Sequence, residues 1–115
     1  MITWDELIDR FAYFERGSRG HERWKFVHPM HQVLPSLRQV VEEQFPNTHL
    51  STGMLALNLT PQGASKIVTI QCVGEDRFRV GLNNNKFEVL EEEIVDLSNT
   101  VEQVIQYLEM SRQEK

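Results

Sequence analysis

The chain of 115 residues has one cysteine and no long apolar run, and each of these features argues against certain classes of protein. Cys72 cannot form an internal disulfide, and its place in the segment Val68-Thr69-Ile70-Gln71-Cys72 predicts a buried, inert thiol. No apolar stretch approaches the length of a membrane span, and the acidic start of the chain lacks the basic and apolar regions of a signal peptide. These features predict a cytoplasmic protein without a membrane partner.

Basic residues are also few, because 12 Lys and Arg stand against 17 Asp and Glu, for a formal net charge of −5. A nonspecific nucleic-acid-binding domain usually carries a basic surface, so nucleic acid is not an expected partner. The chain has no nucleophile elbow, phosphate loop, Rossmann glycine pattern or zinc-peptidase helix. No catalytic residue and no cofactor are therefore predicted, although an active site assembled from residues distant in sequence would leave no motif.

The length and the composition, with 40% hydrophobic and 25% charged residues, are typical of one globular domain over residues 1–115. Thr3 and Glu6 form a capping box before an apolar stripe, which predicts a first helix that ends with Gly17 in a left-handed conformation. A second helix is predicted over residues 35–45, with Pro35 in its first turn, and an alternative is that residues 29–34 add an earlier helical turn with a kink at Pro35. Residues 24–27 before it form a short strand or an extended connection, since Pro29 disfavours helix at the residue before it.

Four short runs between residues 53 and 90 alternate apolar and polar side chains, which predicts an antiparallel meander. Turns at residues 61–64, 74–76 and 84–85 would pair Leu57 with Val68, Cys72 with Phe78, and Leu82 with Phe87. The apolar face would contain Leu55, Leu57, Leu59, Val68, Ile70, Cys72, Phe78, Val80, Leu82, Phe87 and Val89.

A last helix is predicted to begin at Ser98 or Asn99, because Val101, Val104, Ile105 and Leu108 follow at helical spacing. The expected fold is α+β: two N-terminal helices, a four-stranded antiparallel β-meander and a C-terminal helix. The helices are expected to cover one face of the sheet, since only one face is apolar.

Two charged stretches are the candidate sites. Residues 16–31 are rich in arginine and histidine, which suits an anion site at Arg19, His21, Arg23 and Lys25, or a weaker metal site at His28 and His31. Residues 88–109 carry seven acidic residues without an intervening Lys or Arg. Either stretch can also be a solvated surface. A partner-binding surface on the open sheet face and the acidic strand edge would use Arg77, Arg79, Glu88, Glu91, Glu92, Glu93 and Asp96.

The leading hypothesis is a non-enzymatic interaction protein that binds a protein partner through this surface. In size, acidity and layout the chain is similar to small bacterial immunity proteins and secretion chaperones, with which it shares no motif. An immunity or antitoxin role would fit, because an acidic surface can mask a basic nuclease-type site. The alternatives are a small-ligand, anion or metal-binding domain or minor enzyme that uses the 16–31 loop, and a homodimer that pairs through an open edge strand.

Overall fold

The computed structural model describes residues 2–53, 55–74 and 76–112. The strands of its sheet lie side by side in chain order, and every neighbouring pair is antiparallel. The predicted α+β class is confirmed, whereas the predicted strand count of four was wrong because the sheet has five strands. The elements are α1 (Trp4–Gly17), α2 (Trp24–Gln44), β1 (His49–Gly53), β2 (Ala56–Thr60), β3 (Ile67–Gly74), β4 (Arg77–Asn83), β5 (Val89–Asp96) and α3 (Leu97–Arg112).

The strand missed from the sequence is β1, which pairs with β2 from His49 opposite Thr60 to Gly53 opposite Ala56. Leu50 is its only large apolar residue, so β1 lacks the alternation that marks the other strands. Leu55 was expected on the apolar face of a strand, but it lies in the β1–β2 turn with a φ of 66°.

The register of the central strands agrees with the predicted face but only in part with the predicted pairs. Cys72 lies opposite Phe78, as expected, with a register shift immediately after Cys72. Leu57 lies opposite Ile70 rather than Val68. This error of two residues leaves every side chain on its expected face, because the side-chain period of a strand is two. The predicted turn at residues 74–76 includes Glu75, which lies outside the described residues.

The last turn of the meander is longer than the predicted two residues. Asn84 Oδ1 accepts hydrogen bonds from the backbone N–H groups of Lys86 at 2.9 Å and Glu88 at 3.0 Å. Phe87 has a φ of 63° and is exposed, so it is not opposite Leu82 as predicted. The partner of Leu82 is Glu91, and a bulge between Leu82 and Asn83 leads into β5.

The first helix begins as predicted, because Thr3 Oγ1 accepts a hydrogen bond from the Glu6 backbone N–H at 3.2 Å. Gly17 was expected to end it in a left-handed conformation, but it is the last helical residue, and Ser18 caps the helix with a φ of −107°. The second helix is also longer than predicted and contains both Pro29 and Pro35.

Tertiary contacts let the helix continue through Pro29. A proline at this position removes the hydrogen bond to the carbonyl four residues earlier. In this protein the thiol of Cys72 lies 3.6 Å from that carbonyl, on Lys25, and donates to it. Residues 24–27, expected to be extended, are therefore the first turn of α2.

The core lies between the sheet and the helices. Helix α2 packs on β3, α3 packs on β3, β4 and β5, and α1 packs mainly on α2. Strand β5 ends at Asp96 and α3 begins at Leu97, so no loop separates them. None of the helices in the described part of the chain has the length and apolar character needed to cross a membrane. The strand side chains buried under the helices are Leu50, Leu57, Leu59, Val68, Ile70, Cys72, Phe78, Val80 and Leu82.

Candidate functional site

The edge strand β5 is the most exposed regular element of the described chain. Its hydrogen-bonded neighbour in the sheet is β4, so its other side is open. Most of its 8 residues are exposed, including the apolar side chains of Val89, which is 59% exposed, and Ile94, which is 54% exposed. An open edge with exposed apolar side chains offers both unpaired main-chain groups and apolar contacts to another chain.

The three consecutive glutamates of β5 project from both faces of this edge. Residues directly opposite each other in an antiparallel pair project from the same face. Glu91 and Glu93 lie opposite the buried Leu82 and Val80, so they are on the helix side. Glu92 lies opposite Gly81 and is on the open side.

These carboxylates affect the pKa of the Tyr107 phenol in α3. Burial raises the pKa of Tyr107 above its ordinary value, and the negative charges of Glu91, Glu93 and Glu92 raise it further. The side chain is almost fully buried in the core. The carboxylates of β5 therefore disfavour ionisation of a buried side chain of α3.

The structure assigns different roles to the seven residues that the sequence grouped as a partner surface. Arg79 lies at the edge with the three glutamates, and its Nε is 3.5 Å from Glu92 Oε1. Glu88 precedes β5 in the turn, where its Oε1 accepts a hydrogen bond from Asn84 Nδ2 at 2.8 Å. Arg77 lies opposite Asp96 at the far end of the β4–β5 pair.

Asp96 has a structural role that the sequence did not reveal. Its Oδ1 accepts hydrogen bonds from the Asn99 backbone N–H at 3.1 Å and from the Ser98 hydroxyl at 2.9 Å. This is the pattern of a helix N-cap, so Asp96 caps the last helix, which begins at Leu97 rather than at the predicted Ser98 or Asn99. The sequence does contain a signal for this cap, because Asp96 is followed three residues later by the polar Asn99.

A polar ladder crosses the open face of the sheet. Asn83 Nδ2 donates to Thr69 Oγ1 at 2.8 Å, and Thr69 Oγ1 donates to Asn58 Oδ1 at 3.0 Å. Asn58 Nδ2 in turn lies 3.4 Å from Ser51 Oγ, which extends the chain to β1. These side chains therefore donate and accept hydrogen bonds among themselves across the open face.

A groove of about 500 Å³ lies beside this edge, between β5 and α3. Its acidic side chains are Asp96 and Glu102, and Ile94 and Val95 supply apolar surface. The groove gives side chains of a bound segment a place on the helix side of the sheet. The remaining lining residues are Asn99, Gln103 and Gln106.

In the arginine- and histidine-rich stretch, two of the histidines hold helices α1 and α2 together. Glu15 Oε2 accepts hydrogen bonds from His28 Nδ1 at 2.9 Å and from His31 Nδ1 at 3.0 Å. The His28 ring also stacks on Trp24, with centroids 4.2 Å apart. The sequence did not identify Glu15, because the expected extended conformation at His28 hid the helical spacing of the two histidines.

The environment of Glu15 favours its ionised form. Partial burial raises its pKa, but the hydrogen bonds from His28 and His31 and their charges outweigh burial, and the pKa of Glu15 lies below its ordinary value. Within residues 2–53, 55–74 and 76–112, no group of three or more His, Cys, Asp and Glu side chains is arranged to hold a metal ion.

The four residues of the candidate anion site lie in the turn between α1 and α2 and at the start of α2, and they make different contacts. His21 Nδ1 accepts a hydrogen bond from the Arg23 backbone N–H at 3.2 Å and so orders the turn before α2. Lys25 Nζ lies over the ring of Phe26, 5.3 Å from its centroid. Arg19 is exposed in the turn after α1, and Arg23 lines a groove with residues of α1.

Comparison of the chain with protein-family models, with curated proteins and with solved structures found no match.

Proposed function

We propose that this chain is a small, non-enzymatic interaction domain that binds a basic, extended segment of a protein partner along the β5 edge. The observation that carries the proposal is an open edge strand with carboxylates on both of its faces. In strand addition, main-chain hydrogen bonds supply affinity and alternate side chains supply specificity. A segment that alternates basic and apolar residues would match both the glutamates and the exposed Val89 and Ile94.

The negative charge of the β5 edge favours a different protein as the partner over a second copy of this chain. In an antiparallel β5–β5 pair centred on Glu92, Glu91 of each copy would lie opposite Glu93 of the other. Like charges directly opposite each other destabilise a strand pair. An immunity or antitoxin role is a specific form of this proposal, since an acidic surface can mask a basic site on a target.

The proposal can be tested with a labelled peptide that has the 8-residue length of β5 and alternates lysine with valine. Binding is measured by fluorescence anisotropy at low and at high salt. The triple variant E91K/E92K/E93K is expected to bind on the order of tenfold or more weakly at low salt, because charge complementarity is lost. The salt dependence of the remaining binding is expected to flatten.

A matched control is D9K/E43K/E109K, which has the same net charge but leaves β5 unchanged. All three of its positions are exposed on helices. The control is expected to retain most of the affinity of the wild-type protein. Equal losses in both variants, or no loss in the β5 variant, would show that the edge is not the binding surface.

A further inference from the structure

A second cavity shares none of its described lining residues with the groove beside the acidic edge. It has a volume of about 570 Å³ and is formed by the end of α1, the beginning of α2 and the β1–β2 turn. This volume is within the range of small-molecule sites, about 300–1,000 Å³. Its apolar walls are Tyr13, Phe14, Val27 and Leu55.

The aromatic side chains of this cavity are unusually accessible for their size. Tyr13 is 66% exposed and Phe14 is 37% exposed, although most large apolar side chains of the described chain are buried. A concave site with exposed aromatic walls gains free energy when an apolar body displaces water from it.

One charged side chain, Arg23, completes the lining. No carboxylate of the described residues lies within ion-pair distance of it. Arg23 is also at the N-cap position of α2, where its side chain makes no capping hydrogen bond and the helix dipole is positive. A guanidinium binds a carboxylate through two parallel hydrogen bonds.

We infer that this groove binds a small apolar carboxylate, an acyl or aryl acid whose body lies against Tyr13, Phe14, Val27 and Leu55 and whose carboxylate pairs with Arg23. The site is separate from the β5 edge and does not depend on the function proposed for that edge. Charge complementarity selects the ligand class, because Arg23 is the only charged group among the described residues that line the groove.

The probes are decanoate, decanol and decyltrimethylammonium, which share an alkyl chain and differ in charge. Binding is followed by calorimetry and by the NMR shifts of the Val27 and Leu55 methyl groups. Decanoate is expected to bind saturably and to shift both residues, while the alcohol and the cation bind more weakly. R23Q should weaken decanoate binding by about fivefold, and R19Q, on the neighbouring turn, should leave it unchanged.

Gly17 allows a steric test. It lines the groove, and a Cβ at this position would meet no atom within 4 Å. Its φ is not in the left-handed region, so a side chain is compatible with the backbone. G17L is expected to fill the groove and abolish decanoate binding in a folded protein, whereas G17A retains it.

Three results would overturn the inference. Decanol could bind as tightly as decanoate, decanoate binding could be unaffected by R23Q and G17L, or decanoate could fail to saturate the protein. If decanoate failed but an acidic peptide with a leucine or phenylalanine anchor shifted Val27 and Leu55, the groove would be a docking site for a protein chain instead of a small-molecule site.

Discussion

At the scale of single residues, Glu15 connects two helices through one carboxylate oxygen. His28 and His31 both donate to that oxygen, and the Glu15 side chain is only 16% exposed. Two charge-assisted hydrogen bonds in a partly buried position are stronger than those of a surface ion pair. The pair of histidines is therefore best explained as part of the α1–α2 contact.

This contact gives a pH-dependent prediction for E15Q. The pKa of Glu15 lies below its ordinary value of 4.5 in the folded protein. Its stabilisation is therefore present above the unfolded-state pKa and is lost as the pH falls through the lower folded-state pKa. We expect E15Q to lower the free energy of unfolding by about 1 kcal/mol at neutral pH. The difference from wild type should shrink in acid.

Urea denaturation at several pH values measures this difference, with E43Q as a control on an exposed glutamate of α2. A loss of stability that is the same at neutral and acidic pH would contradict the electrostatic explanation.

The sequence revealed some of these residue roles but not others. The Thr3–Glu6 cap was predicted because both partners are close in sequence. The Glu15–His28–His31 cluster was not, since it joins two helices and depends on α2 continuing through Pro29. In that continuation the Lys25 carbonyl, which Pro29 leaves without its helical partner, accepts from Cys72, a residue from the sheet. No local pattern contains this information.

At the scale of elements, the junction between β5 and α3 depends on Asp96. Its carboxylate caps α3, and its backbone carbonyl accepts a hydrogen bond from the Thr100 hydroxyl at 2.8 Å. We expect D96A to lower the free energy of unfolding by about 1 kcal/mol, and D96N to retain most of the stability because Asn is also a good N-cap. Thermal or chemical denaturation measures both.

The same pair of variants separates stability from partner binding. If Asp96 acts only as a cap, D96N should bind the basic peptide nearly as well as wild type. A large loss of binding in D96N with unchanged stability would instead place Asp96 in the recognition surface.

Element boundaries were harder to predict than element types. The apolar faces of β2, β3 and β4 followed from alternation alone, and the structure confirms them. Strand β1 was missed because its single large apolar residue, Leu50, does not produce the apolar–polar alternation that indicates a strand. The apolar face of β5 was predicted wrongly, because Val89 is exposed and the helix-side positions are glutamates, and charged side chains on the core side contradict the usual alternation. A glutamate is tolerated there only because the strand is at the edge and the side chain reaches solvent.

At the scale of the whole molecule, the glutamates of β5 also bear on self-association. Inward-pointing charges on an edge strand prevent pairing between copies. We expect the wild-type protein to be monomeric at micromolar concentration. E91T/E92T/E93T should associate, because threonine favours strands and removes the repulsion.

Light scattering coupled to size-exclusion chromatography measures the mass of each variant. The matched control is E91K/E92K/E93K, in which like charges again oppose each other, so it should remain monomeric. Association of the lysine variant, or a dimeric wild-type protein, would show that charge at this edge does not control assembly.

The absence of a loop between β5 and α3 has a mechanical consequence. A connecting loop would let the edge of the sheet move without moving the helix above it. Here a segment that pulls on β5 pulls on α3 through one peptide bond, and α3 is anchored in the core by Val104, Tyr107 and Leu108. Displacement of the Asp96 end of β5 is therefore expected to be transmitted directly to α3.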